Sequence, residues 1–139
     1  MQIFRYVEQG SINFLWIAGT NPAVSLPELG RIRRILARDS LFLVVSDGYL
    51  TETTAFADVV LPAALWGEKT GTYTNADRTV HLSERAVAPP GEARSDLEIW
   101  LDYACRSFTD RSGRPSAAAV VGASESRRQA DPGFQAVYS

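Results

Sequence analysis

Cysteine and histidine are almost absent from this chain. Its 139 residues contain one of each, Cys105 and His81. One cysteine closes no internal disulfide. Together the two residues fall short of the roughly four ligands that an iron-sulfur cluster or a structural zinc requires. Basic excess is lacking too. Fourteen Lys and Arg stand against sixteen Asp and Glu, a formal net charge of -2, whereas a nucleic-acid binder carries a basic face or stripe. No apolar run comes near the ~18 residues of a membrane span. The first ten residues, MQIFRYVEQG, lack the basic-then-apolar order of a secretory leader, so a cytoplasmic location is the expectation. No glycine loop of the GxGxxG or Walker pattern and no internal repeat is present.

What is there reads as an α/β domain. Hydrophobic residues make up 45% and charged residues 22%, ordinary values for a globular chain long enough to bury a core. Residues 12–18 (INFLWIA) form a short, nearly apolar run that stops at Gly19-Thr20-Asn21-Pro22, a turn signal. Ser25-Leu26-Pro27-Glu28 has the form of a capping box, with Ser25 as N-cap. It is followed by Leu29, Ile32, Ile35 and Leu36 at helical spacing, with Arg31, Arg33 and Arg34 mostly on the other side. A second apolar run, residues 41–45 (LFLVV), ends at Ser46-Asp47-Gly48. Residues 51–57 predict a helical turn or two, and residues 59–61 a third short strand before Pro62.

Strands that are apolar throughout, alternating with helices, predict a Rossmann-like parallel sheet with helices on both faces. After Pro62, residues 72–87 predict an irregular β-hairpin turning near Asn75-Ala76-Asp77. A second capping box, Ser95-Asp96-Leu97-Glu98, opens a helix through Ile99, Trp100, Leu101, Tyr103 and Ala104. Residues 107–139 are rich in Ser, Ala, Gly and Pro without sustained periodicity. They predict an irregular, flexible C-terminal tail.

In an open parallel sheet, ligands bind beyond the carboxyl ends of the strands. The loops at those ends bring Thr20, Asn21, Ser46, Asp47 and Thr51 toward one edge. Asp47 ends the second strand, where a carboxylate can accept two hydrogen bonds from ribose hydroxyls or a guanine edge; it can equally make a turn with Gly48. Asn21 before Pro22 suits a turn. Lys69 can neutralise a diphosphate or stand as a solvated charge. Asp96 in the first turn of a helix stabilises the helix dipole, and Ser25 and Ser95 read as caps. His81 belongs to an exposed strand. Trp16, Trp66 and Trp100 sit in apolar contexts that predict core positions.

Three segments carry a resemblance. FLWIAGTNPAVSLPEL, LFLVVSDGYLTETTAFADVVLPAALWGEKTGTYTNADRTVH and APPGEARSDLEIW, in this order and spacing, resemble the molybdopterin oxidoreductases that carry molybdopterin guanine dinucleotide. The resemblance is nearest to bacterial nitrate reductase catalytic subunits of the assimilatory and periplasmic type, with formate dehydrogenase alpha subunits close by. It spans roughly residues 1–106.

The resemblance implies a cofactor-binding α/β domain that holds the guanosine end of one of two pterin dinucleotides (Mo-bis-MGD). By position it implies cofactor contacts at Asn21 of the GTNP loop, Ser46 and Asp47 at the strand end, Lys69 of WGEKTG and Asp96 of the SDLE helix start. The family's cysteine-rich [4Fe-4S] segment, its molybdenum ligand and its C-terminal domain have no counterpart in these residues. The chain is therefore expected to be part of a longer catalytic subunit, with residues 1–106 a partial cofactor-binding domain. Its expected partners are the rest of that subunit and an electron-donor protein, with no nucleic acid and no membrane span. By itself it is expected to be inactive. A formate dehydrogenase fragment and a non-catalytic guanine-nucleotide-binding or assembly module are the alternatives.

Overall fold

A computed structural model describes residues 2–107. Within the chain, two compact units meet at Ala63 and Ala64. The first contains helix α1 (Gln2–Glu8), strand β1 (Phe14–Ala18), helices α2 (Pro22–Ser25) and α3 (Leu29–Leu36), strand β2 (Phe42–Asp47), a 3-10 turn (Thr54–Phe56) and strand β3 (Val59–Pro62). The second contains a 3-10 turn (Trp66–Glu68), strands β4 (Gly71–Thr74) and β5 (Val80–Ser83), and helix α4 (Asp96–Ser107). The predicted tail lies outside the described residues.

The first unit is the predicted α/β sheet. All three strands run parallel in the order β1-β2-β3. The register pairs Ile17 with Val45 and Ala18 with Ser46, then Ser46 with Leu61 and Asp47 with Pro62. Strand residues alternate between faces. Leu15, Ile17, Leu43 and Val45 therefore share one face, and they join Phe4 and Val7 of α1, Ala23 of α2, and Ile32, Ile35 and Leu36 of α3 in one buried cluster. Ile32, Ile35 and Leu36 fall at i, i+3 and i+4, the stripe of an amphipathic helix. Arg31 on α3 donates to Glu8 at 2.6 Å and to Glu28 at 3.1 Å. The Arg31 hydrogen bond holds the Glu8 carboxyl below its ordinary range.

Three expectations need correction. Ser25 does not cap the long helix. It ends α2, and its hydroxyl donates to the Asn21 carbonyl at 2.9 Å. Pro22, with its φ preset for a first helical position, already opens that turn. Glu28 then takes a left-handed conformation (φ 57°) and α3 starts at Leu29. Second, β3 is not buried: Val59 and Val60 are 37% and 39% exposed, because β3 is an edge strand and only β2 is flanked on both sides. Third, Trp66 and Trp100 are not core residues. Trp66 lies on a tight 3-10 turn and is 70% exposed, and Trp100 is 43% exposed on α4, edge-on to Tyr103. Apolar neighbours in sequence do not make a buried position. Helix α1 has no counterpart among the predicted elements, although Phe4 and Val7 carry an i, i+3 signal.

Two elements of the second unit match the sequence closely. β4 and β5 pair antiparallel, Gly71 with Ser83 and Thr74 with Val80, around a turn at residues 75–79. The second capping box forms as predicted: Ser95 N-H donates to Glu98 Oε2 at 3.0 Å, and Glu98 N-H donates to Ser95 Oγ at 3.3 Å. Among the described residues, no helix is long and apolar enough to cross a membrane.

Candidate functional site

In the first unit, the carboxyl ends of β1 and β2 lie side by side. Gly19 N-H donates to the Ser46 carbonyl at 2.9 Å, and Ala63 N-H donates to the Asp47 carbonyl at 3.0 Å. Asn21, Ser46 and Asp47 therefore share one sheet edge, where parallel-sheet ligands bind. They differ in what they can offer a ligand there.

Asp47 is partly buried. Its Oδ1 accepts the Tyr49 N-H at 3.2 Å, and Oδ2 has no partner among the described residues. The turn reading and the acceptor reading thus coexist in one carboxylate. Ser46 is 1% exposed, and its hydroxyl accepts from Trp16 Nε1 at 3.1 Å. That hydroxyl is committed inside the fold, and the Ser46 carbonyl is taken by the Gly19 N-H.

Asn21 is held on two sides. Thr53 Oγ1 donates to Asn21 Oδ1 at 2.7 Å, and Asn21 Nδ2 donates to Glu52 Oε2 at 2.7 Å. Thr53 is fully buried, and its hydroxyl also accepts the Ala23 N-H at 3.1 Å. The Asn21 amide keeps the Glu52 carboxyl below its ordinary range. Beside Glu52, Thr51 Oγ1 is buried without a hydrogen-bond partner among the described residues. A buried hydroxyl left unpaired costs about 1–3 kcal/mol.

In the second unit, Lys69 and Asp96 come together across 27 positions of sequence and form an ion pair. Their side chains are 19% and 31% exposed. Lys69 follows the Trp66–Glu68 turn, and Asp96 opens α4 just after its cap Ser95. The lysine charge is thus met by a carboxylate of its own unit. The pair suits a polar, uncharged ligand edge, with ammonium N-H donors beside a carboxylate acceptor, better than it suits a bare diphosphate.

Sequence reasoning missed Glu52 and Thr53, whose position four and five residues past the Gly48 turn gives no signal without the fold. It also missed Asp58, whose Oδ2 accepts the Leu43 N-H at 2.7 Å while its own N-H donates to the Leu43 carbonyl at 2.9 Å. That exchange pins the start of β3 to β2. His81 lies on exposed β5, where its Nε2 and the Thr79 hydroxyl are 2.9 Å apart. Cys105 is a free, partly buried thiol on α4. Residues 1–63 contain neither Cys nor His, so the strand-end cluster offers hydroxyl, amide and carboxylate groups but no thiol and no imidazole.

The sequence pattern of the family described as molybdopterin oxidoreductase matches residues 2–104. This chain belongs to that family, whose name implies a molybdenum-pterin cofactor. It is 44% identical over 121 residues to a nitrate reductase of Synechocystis sp., covering 86% of this chain and 17% of the relative. It is 53% identical over 91 residues to an F420-dependent formate dehydrogenase subunit alpha of Methanocaldococcus jannaschii, covering 66% of this chain and 13% of the relative. It is 40% identical over 120 residues to an NADPH-Fe(3+) oxidoreductase subunit alpha of Geobacter sulfurreducens, covering 86% and 14%. The chain thus spans less than a fifth of the length of these relatives.

Proposed function

We propose that residues 1–106 form part of the cradle for the guanosine end of a molybdopterin guanine dinucleotide in a larger oxidoreductase. The observation that carries this reading is Asp47. Its carboxylate ends the middle strand of a parallel sheet, with one oxygen fixed by Tyr49 N-H and the other without a partner among the described residues. A carboxylate so held can accept from the adjacent N-H groups of a guanine edge or from ribose hydroxyls. The donor set fits that end of the cofactor. Within the first unit, Asn21 offers an amide N-H, and the Thr51 hydroxyl, without a partner among the described residues, needs one; within the second, taken by itself, Lys69 with Asp96 offers a paired donor and acceptor. Ser46 supports the strand end from within, its hydroxyl accepting from Trp16 and its carbonyl from Gly19 N-H.

Three relatives with different named activities match this one region. A region common to different substrates is suited to a common cofactor. The parent reaction proposed here is reduction of nitrate to nitrite, supported by the motif resemblance and by the nitrate reductase relative that matches 86% of the chain. When bound, the cofactor supplies the molybdenum at which nitrate gives up an oxygen atom, taking two electrons and two protons and releasing water. Electrons would enter through a [4Fe-4S] cluster held outside this chain, fed by a donor protein, in a cytoplasmic enzyme. This chain's own residues bind and orient; they transfer no proton or atom to the substrate.

Titration of the chain with GMP or GDP tests the reading. Binding that is lost in Asp47→Ala is the expected result, and wild-type binding by that variant would sink it. Nitrate reduction by the isolated chain with an artificial donor should be zero. Formate oxidation is the second reading of the parent reaction, favoured by the 53% identity to the formate dehydrogenase subunit. Assay of the parent enzyme with nitrate and with formate separates the two.

A further inference from the structure

The amide of Asn21 sits in a hydrogen-bond arrangement that allows only one orientation. Thr53 is fully buried and its hydroxyl accepts the Ala23 N-H. That hydroxyl's own proton needs an acceptor, and the atom 2.7 Å away on Asn21 is the amide oxygen. On the other side, an ionised carboxylate only accepts, and Glu52 Oε2 meets the amide nitrogen at 2.7 Å. Turning the amide over would set its oxygen against the Glu52 carboxylate. Two neighbours of opposite demand therefore fix one orientation. An Asn in a loop normally samples several.

One consequence follows for the ligand. With Oδ1 and one Nδ2 proton occupied, the second Nδ2 proton has no partner among the described residues. We propose that Thr53 and Glu52 are positioning residues for Asn21, locking its amide so that this remaining N-H stands ready as a donor to a ligand acceptor. The ligand part of this inference rests on the guanosine-cradle reading above; the locking does not. The ordering entropy of the side chain is lost on folding rather than on binding, which raises affinity without adding a contact. It also gives Glu52 and Thr53 a role that needs no contact with the ligand.

Side-chain amide NMR of the full 139-residue chain, with and without GMP, tests this. In the wild type, the Glu52-bonded Asn21 side-chain proton should lie downfield of its free-peptide position and exchange slowly. Thr53→Val and Glu52→Ala should return it toward that free position and speed exchange, and Thr53→Ser should keep the wild-type pattern. GMP affinity should fall about tenfold in Thr53→Val and in Glu52→Ala, as for loss of one pre-oriented hydrogen bond, and stay within about threefold of wild type in Thr53→Ser. Glu52 is exposed, so Glu52→Ala leaves the core intact even where Thr53→Val does not fold. If Glu52→Ala keeps wild-type amide resonances and wild-type GMP affinity, the proposal is wrong. If the resonances respond as expected but the wild type binds no GMP, the locking stands and the cradle reading fails.

Discussion

The two units place candidate residues by different means. In the first, Asn21 and Asp47 stand on a sheet whose core joins β1, β2, α1, α2 and α3. In the second, the buried apolar side chains among the described residues are Ala64 and Ile99. Order there comes from polar devices: the Lys69–Asp96 pair, the Ser95–Glu98 capping box, and Gly67 carbonyl acceptance from Ala86 and Val87 N-H. Exposed Val80, Leu82 and Val87 accompany them. A site built on a packed sheet is held by many residues at once. A site built on an ion pair depends on two. Substitutions should therefore act broadly in the first unit and locally in the second.

The largest effect should follow Leu43→Ala. Leu43 is fully buried in the central strand, so its truncation should cost about 2–5 kcal/mol, read by urea unfolding. A cost below about 1 kcal/mol would break the comparison, because the first unit would then not rest on its core. Asp58→Ala comes next. It leaves the Leu43 N-H without its acceptor, at about 1–3 kcal/mol. Faster hydrogen exchange at Leu43 than at Val45 would localise the loss.

In the second unit, Lys69→Met leaves a partly buried Asp96 unpaired. The expected cost is about 1–2 kcal/mol, between exposed and buried pairs. Exchange protection should fall in α4 and stay unchanged in β2; loss of protection in β2 would show that the two units are not independently held. Arg78→Gly should stabilise instead. Arg78 sits at φ 67° in the hairpin turn, where a side chain is strained and glycine is not, a gain of roughly 0.5–1 kcal/mol in thermal unfolding.

Acid should act least and last. Arg31 lowers the Glu8 carboxyl, and Arg94 lowers that of Asp102. A lowered folded-state value means that this stabilisation is complete at neutral pH and is lost as pH falls below the ordinary carboxyl values of 4.5 and 3.8. Both groups are solvent-exposed, so the fall in Tm between pH 5 and pH 3 should shrink in 1 M salt.

Much of the fold was legible because its signals are local. Apolar runs ending at Asn21-Pro22, Asp47-Gly48 and Pro62 marked three strands within a residue or two. Ser95 and Glu98 marked a helix start, since a capping box is satisfied within four residues. Ser25 and Glu28 carried the same letters and failed, because Pro22 had already opened a turn and Glu28 took a left-handed conformation. Trp66 and Trp100 misled for a related reason: exposure depends on what packs against a side chain, which neighbouring letters do not record.

By itself, the sequence determined the α/β class, the family and the candidates Asn21, Ser46, Asp47, Lys69 and Asp96, since motif order and apolar runs are properties of the chain. Tertiary structure decided what each candidate has left to offer. It turned the Ser46 hydroxyl inward to Trp16, joined Lys69 to Asp96, left one oxygen of Asp47 without a partner among the described residues, and set Asn21 between Thr53 and Glu52. Hydrogen-bonding capacity is spent between residues some thirty positions apart, and only the folded chain brings such residues within hydrogen-bond distance of one another.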